Sequence, residues 1–110
     1  MADCIFCNII AGKTPTEFLY QDDKVVVFRD IRPKARVHLL IVAREHIESL
    51  FEATEKQAPL LGHMLMVLPK VAIDQGLSNG FRTIINSGKE GGQVIDHIHF
   101  HLVGGGISAF

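Results

Sequence analysis

Nowhere do the 110 residues contain an apolar run approaching the ~20 that a membrane-crossing helix needs, so no helical span is expected. A block of like charge is missing too. The 11 basic and 12 acidic side chains are scattered and leave a net charge of −1. That pattern excludes a surface built to track a duplex phosphate backbone or to lie on an anionic membrane. Neither nucleic acid nor membrane is therefore an expected partner, whereas one small ligand needs only a local pocket. The first residues, Met1-Ala2-Asp3-Cys4, lack the basic segment and cleavage site of a secretion signal. The expected location is the cytoplasm, where the two cysteines, Cys4 and Cys7, would stay reduced rather than form a disulfide. With no repeat, linker or low-complexity stretch, residues 1–110 read as a single domain. No motif asks for an organic cofactor.

What the chain does have is histidine at alternate positions, in His97-Ile98-His99-Phe100-His101-Leu102-Val103. Successive side chains of a strand point to opposite faces. The three imidazoles thus share one face, and Ile98, Phe100 and Leu102 fill the other. Neutral imidazole can bind a metal, attack an electrophile, move a proton or donate to a phosphate. At about 3.4 Å per residue the outer two lie roughly 13–14 Å apart along an ideal strand. One ion with bonds of about 2 Å would struggle to reach both. The row is therefore expected to divide its labour.

Around this row the pattern predicts an α+β domain, a mostly antiparallel sheet of about five strands with one long helix and a short N-terminal helix. The short helix runs from Cys4 to Ile10 and stops at Gly12. Phe18–Tyr20 and Val25–Phe28 form a hairpin about Asp22-Asp23, and Val37–Ala43 is a third strand. A capping box of Thr54 and Gln57 starts the long helix, which ends near Gln75 and Gly76. Its expected apolar stripe is Leu61, Met64, Leu65, Leu68 and Ala72, with Met66 as further packing and a kink at Pro69. His63 is expected to be exposed or to pack. The last two strands are Phe81–Asn86 and Ile95–Val103, joined by the glycine-rich loop Ser87–Gly92.

The run at His97–Val103 resembles the signature of the histidine triad (HIT) family. The resemblance extends through Ile5-Phe6, Phe28-Arg29-Asp30-Ile31, Val37–Ile41, Phe81-Arg82, Asn86, Gly91-Gly92-Gln93 and Gly104-Gly105. The final glycine pair is similar to the histidine-triad nucleotide-binding branch. Membership implies a nucleotide-binding fold and attack at the α-phosphorus of a purine nucleotide conjugate, notably a phosphoramidate. On this likeness His99 is the nucleophile, His101 touches the phosphate and bridging atom, and His38 supports the cluster. Asn86, Gly92, Gln93 and Val94 match positions at the phosphate and ribose, and Asp30 the acid that holds ribose hydroxyls. Ile5, Phe6, Phe28 and Ile31 match the apolar clamp around the base.

One departure stands out. A serine commonly follows the glutamine in this branch, near the leaving-group nitrogen, but here Val94 occupies the place and has no proton to give. A nucleotide-binding protein with vestigial catalysis, a dinucleoside polyphosphate hydrolase, and a module holding a catalytic ion in the triad are the alternative readings. Cys4 and Cys7 have the C-x₂-C spacing used by structural zinc. In bacterial relatives with this motif the other ligands are the histidine matching His46 and the first of the triad, His97. The resemblance thus implies a closed structural zinc site and, as for other small members, a homodimer.

Overall fold

The computed structural model describes residues 4–106. Its elements in chain order are α1 (Ile5–Ile10), β1 (Tyr20–Gln21), β2 (Val25–Arg29), β3 (Val37–Ala43), α2 (Ala58–Asp74), β4 (Arg82–Ile84) and β5 (His99–Gly104). The five strands form one sheet in the order β1-β2-β3-β5-β4, and every neighbouring pair is antiparallel. The expected α+β architecture is what the chain adopts. No helix among the described residues is long and apolar enough to cross a membrane.

Alternation along the strands builds two apolar layers. Val25 and Val27 of β2, Val37, Leu39, Ile41 and Ala43 of β3, and Phe100 and Leu102 of β5 pack with α2. Val26, Phe28, Leu40 and Val42 face the other way, against Phe6 and Ile9 of α1. All seven residues of β3 are buried, which is why that strand reads as an unbroken apolar run rather than an alternating one. Its single polar member, His38, sits on the α1 side. Register sets His38 opposite Val103, Leu40 opposite His101 and Val42 opposite His99. The histidines of two adjacent strands therefore gather on the face that α1 only partly covers.

Helix α2 keeps its expected end. Leu77 N–H reaches Ala72 O at 2.9 Å and Gly76 N–H reaches Ile73 O at 3.0 Å, the paired closure of a Schellman motif. Its start differs. The Thr54–Gln57 capping box forms, but it caps a 3₁₀ turn at Glu55–Gln57, and the α-helix begins only at Ala58 with Pro59 in its first turn. The helix continues through Pro69, which lies on the exposed side. The buried stripe is Leu60, Met64, Val67, Leu68, Val71 and Ala72. This corrects the expectation for Leu65 and Met66, which are 49 % and 69 % exposed. The sheet presses closer to the Leu60–Val67–Val71 line, so the helix is turned from the face that the sequence pattern favoured.

His63 ties this helix to the β1–β2 hairpin, with Nε2 2.7 Å from Asp22 Oδ2. Burial of Asp22 opposes its charge, but hydrogen bonds from Lys24 N–H, His63, Tyr20 and Val25 N–H outweigh it. They hold the carboxyl well below the usual range. The final strand also differs from expectation. β5 starts at His99, not Ile95, because residues 95–97 bend. His97 N–H bonds Ile95 O at 2.9 Å and Ile98 N–H is taken by Ile47 O at 2.7 Å. Neither group is then available to a neighbouring strand. β1 and β4 are likewise shorter than the Phe18–Tyr20 and Phe81–Asn86 expectations.

Candidate active site and metal centre

The three triad histidines have different partners, and the partners fix which ring nitrogen carries the proton. His99 Nδ1 lies 2.6 Å from His97 O. A carbonyl only accepts, so Nδ1 is the N–H and Nε2 keeps its lone pair. That is the state a nucleophilic imidazole needs. The ring is buried, with the Phe6 ring edge-on at 5.0 Å and the His101 ring at 5.1 Å.

His38 and His101 form a second chain of assignments. Lys34 N–H donates to His38 Nδ1 at 3.0 Å. The proton of neutral His38 is then on Nε2, which donates to His101 Nδ1 at 2.9 Å. His101 must therefore carry its own proton on Nε2, leaving a fixed donor beside His99. Asp30 Oδ2 stands 3.5 Å from His38 Nε2, close enough to favour that proton's position. Burial lowers the pKa of His38 and His99. For His101 burial, with repulsion from charged His99 and His38 added, brings the value down to about 4. All three rings are neutral near pH 7.

His97 belongs to a different group. Its Nε2 donates to Ala43 O at 2.6 Å, so its Nδ1 lone pair points to Cys4 Sγ at 3.2 Å, Cys7 Sγ at 3.6 Å and His46 Nδ1 at 3.1 Å. Cys7 Sγ is also 3.2 Å from His46 Nδ1. A tetrahedral ion with M–S bonds of about 2.3 Å and M–N bonds of about 2.0–2.1 Å separates its donors by roughly 3.3–3.8 Å. The four donor atoms are gathered at nearly that spacing, all within 4.8 Å of one another. His46 Nε2 is buried with no hydrogen-bond partner, a cost that a bond from Nδ1 to a cation would offset. The Cys7 thiol is pushed up to about 11 by burial and by Cys4 beside it, so a cation must displace its proton. This donor set fits a metal ion.

Asp30, His38 and His101 also cluster within 4.8 Å, yet proton positions argue against an ion there. Lys34 N–H occupies His38 Nδ1, which forces the proton to Nε2, the atom that would have to ligate. The two histidine clusters are thus unlike: one offers lone pairs to a cation, the other is a hydrogen-bonded relay.

Of the other expected contact residues, Phe6 lies directly against the His97 and His99 rings. Phe6 packs edge-on against Phe28 at 5.7 Å and both are buried, whereas Ile5 and Ile31 are exposed, Ile31 to 92 %. Phe6 and Phe28 form a buried aromatic pair, and Ile5 and Ile31 project at the surface. The loop before β5 turns at Gly88 and Gly92, with φ of +79° and +90°, values that favour glycine. Asn86 touches this loop, its Cγ 3.8 Å from where a Cβ on Gly92 would sit. The Gln93 side chain is spent on the backbone. Its Oε1 accepts from Gly88 N–H at 2.8 Å, and its Nε2 donates to Glu48 O at 2.6 Å and Ile95 O at 2.9 Å. Gln93 clamps the loop, so its amide is not free for a phosphate. Val94 is 91 % exposed. The main-chain groups of Lys34, Ala43 and His97 were missed by side-chain reasoning, because a carbonyl or amide leaves no mark in sequence.

Residues 3–108 match the family described as "Scavenger mRNA decapping enzyme C-term binding". A "14 kDa zinc-binding protein" of Brassica juncea is 44 % identical over 105 residues, covering 94 % of this chain and 93 % of that one. The structure of a HIT family hydrolase from Legionella pneumophila superposes with a TM-score of 0.90 at 39 % identity, covering 94 % and 93 % of the two chains. That of a histidine triad nucleotide-binding protein from Candida albicans gives 0.79 at 34 % identity, covering 91 % and 73 %. With the alternating histidines, the sheet and these likenesses in agreement, the chain belongs to the histidine triad family.

Proposed function

We propose that this protein is a nucleotide-binding hydrolase acting at the α-phosphorus of purine nucleoside phosphoramidates and related nucleotide conjugates, through a nucleotidyl-histidine on His99. The observation that carries the reading is the His99 Nδ1–H bond to His97 O. It leaves Nε2 as a lone pair beside a donor, His101 Nε2–H. His99 Nε2 bonds to phosphorus and the phosphorus–nitrogen bond of the substrate breaks. Neutral His101 supplies a hydrogen bond to the phosphate and bridging atom, not a proton. Val94 has no proton either, so the departing amine takes one from solvent. Water then attacks phosphorus, the bond to Nε2 breaks, nucleoside monophosphate leaves and one proton returns to solvent. The N–H groups of Gly88, Gly91 and Gly92 are bonded within their loop, to Gln93 Oε1, Gly88 O and Lys89 O, so the loop's part is to set the shape of the phosphate site. Phe6, Phe28, Ile5 and Ile31 would hold the base and Asp30 the ribose, while Gln93 acts by fixing the loop. The direct test is AMP release from adenosine 5′-phosphoramidate. Tight AMP binding without turnover would support the binding-protein alternative instead.

Two expectations concern how this rate responds. Val94→Ser places a hydroxyl where the leaving group departs, and turnover of the phosphoramidate should rise roughly tenfold, a modest share of what general acids contribute. An unchanged kcat would mean that residue 94 does not face the leaving group. With His99 and His38 lowered by burial and His101 brought down to about 4, kcat/KM in zinc-containing buffer should stay level through pH 6.5 and fall only below it. The same lowered value means that the unfolded chain protonates first. Its contribution to stability is complete above about 6.5 and is lost as pH falls from there through about 4. A midpoint in kcat/KM near 6.5 would show an ordinary, solvated histidine.

The Cys4, Cys7, His46 and His97 set is proposed to bind zinc. Four protein ligands leave no open position, so the ion would be structural. A homodimer is proposed as well. Met66 and Ile73 on α2 are 69 % and 66 % exposed, and β4 is an edge strand, features that a second copy could cover. Sedimentation at micromolar concentration should give twice the chain mass, and a monomeric mass would refute this.

A further inference from the structure

We propose that the Cys4–Cys7–His46–His97 centre and the nucleotide pocket are coupled, so that metal occupancy tightens nucleotide binding and nucleotide tightens metal binding. The inference rests on the nucleotide-hydrolase reading above and goes beyond a purely structural role for the ion.

His97 is the junction. Its ring Nδ1 faces the cluster, its ring Nε2 donates to Ala43 O at 2.6 Å, and its carbonyl accepts from His99 Nδ1 at 2.6 Å. The residue lies in the bend before β5, outside the strand ladder, and its own N–H bonds only locally, to Ile95 O. Strand pairing therefore does not fix the carbonyl that sets the His99 tautomer. The Ile98 N–H bond to Ile47 O at 2.7 Å orients that peptide, and the ring's two attachments, one of them the metal centre, set where the residue sits.

A second route runs through α1. Phe6 lies between the two cysteines in sequence and packs edge-on against His99 at 5.0 Å, His97 at 5.8 Å and Phe28 at 5.7 Å. The helix has only six residues, far too few to be stable alone. Cys4 Sγ also accepts Cys7 N–H at 3.2 Å, capping the helix with the same sulfur that faces the cluster. An ion gripping both sulfurs would anchor α1 and press Phe6 against the nucleophile. Without it, Phe6 and the His97 ring have more freedom, and a nucleotide must order them at its own expense. His97 and Phe6 are thus positioning residues for this site.

Coupling between sites is reciprocal and commonly amounts to 5–150-fold in affinity, and about tenfold is expected here. Cobalt(II) replaces the native ion as a visible probe in the full chain, and equilibrium dialysis separately records AMP binding. Saturating AMP should shift the cobalt d–d bands and raise the protein's hold on cobalt against a chelator about tenfold. The Phe6→Leu variant retains every metal ligand. With AMP occupancy verified by dialysis, it should hold cobalt as the parent does without AMP but lose most of the gain that bound AMP gives the parent. These measurements use loaded protein, so they decide the matter even if the metal-free chain does not fold. Unchanged bands and unchanged chelator competition, with AMP shown to be bound, would overturn the coupling alone. Failure of AMP to bind would overturn the nucleotide reading with it, and failure to take up cobalt would remove the metal centre on which the coupling depends.

Discussion

Replacing His99 with alanine should lower AMP release from adenosine 5′-phosphoramidate by roughly 10³-fold or more, the scale seen when a covalent nucleophile is deleted. The protein should still fold and bind AMP. The substitution leaves His97 O without its partner and opens a space beside Phe6, a loss of about 1–3 kcal/mol for the unmade bond. Domains of this kind are stable by about 5–15 kcal/mol, so the fold survives. Phe6, Phe28 and the Gly88–Gly92 loop remain in place. Loss of turnover with AMP affinity retained would separate the chemical role from a packing role. Equal loss of both would mean that His99 serves mainly to shape the pocket.

Removal of the metal should have the second large effect, on stability. A free ion at a hundred times its dissociation constant stabilises the folded state by about 2.7 kcal/mol. For a domain near 100 residues each kcal/mol moves Tm by about 4–8 °C. Chelation should therefore lower Tm by about 10–20 °C, and Cys7→Ala should do the same without chelator. The effect should grow less as pH falls, because the Cys7 thiol, pushed up to about 11 without a cation, must release its proton to the buffer when the ion binds. Differential scanning calorimetry with and without chelator measures this. A Tm indifferent to both chelation and Cys7→Ala would mean that the four donors do not hold an ion.

Much of this architecture could be read from the chain before folding. Alternation at His97–Val103 correctly placed His99 and His101 together and assigned Ile98, Phe100 and Leu102 to the opposite layer. Short apolar, β-branched runs bounded by turn residues mark β2 and β3, and Thr54 with Gln57 marks the approach to α2. The missed features are those in which tertiary contacts chose between locally equivalent outcomes. Leu60, Leu61, Met64, Leu65, Val67 and Leu68 make α2 apolar over so wide an arc that sequence alone could not say which line met the sheet. The bend at His97 follows from a hydrogen bond between Ile98 N–H and Ile47 O, residues far apart in the chain. Gln93 reads as a ligand contact through family resemblance alone. Only the positions of Gly88, Glu48 and Ile95 reveal that its amide is already engaged. The clustering of His46 with the cysteines was anticipated through family resemblance, not through spacing.

The division of labour inferred from the histidine row also acquires a physical cause. His97 leaves the strand, turns its Nδ1 to the cysteines and gives its carbonyl to His99. His101 is governed instead by Lys34 and His38. Three chemically identical side chains thus hold two tautomers: Ala43 O fixes the Nε2–H form of His97, Lys34 N–H acting through His38 fixes that of His101, and His97 O fixes the Nδ1–H form of His99.

Rapid-quench trapping during turnover of phosphorus-labelled adenosine 5′-phosphoramidate tests the central claim most directly. The account predicts an acid-labile, alkali-stable adenylyl group on His99 that forms and decays fast enough to carry the steady-state rate. Turnover at the full rate with no protein-bound label, or with the label on another residue, would contradict it.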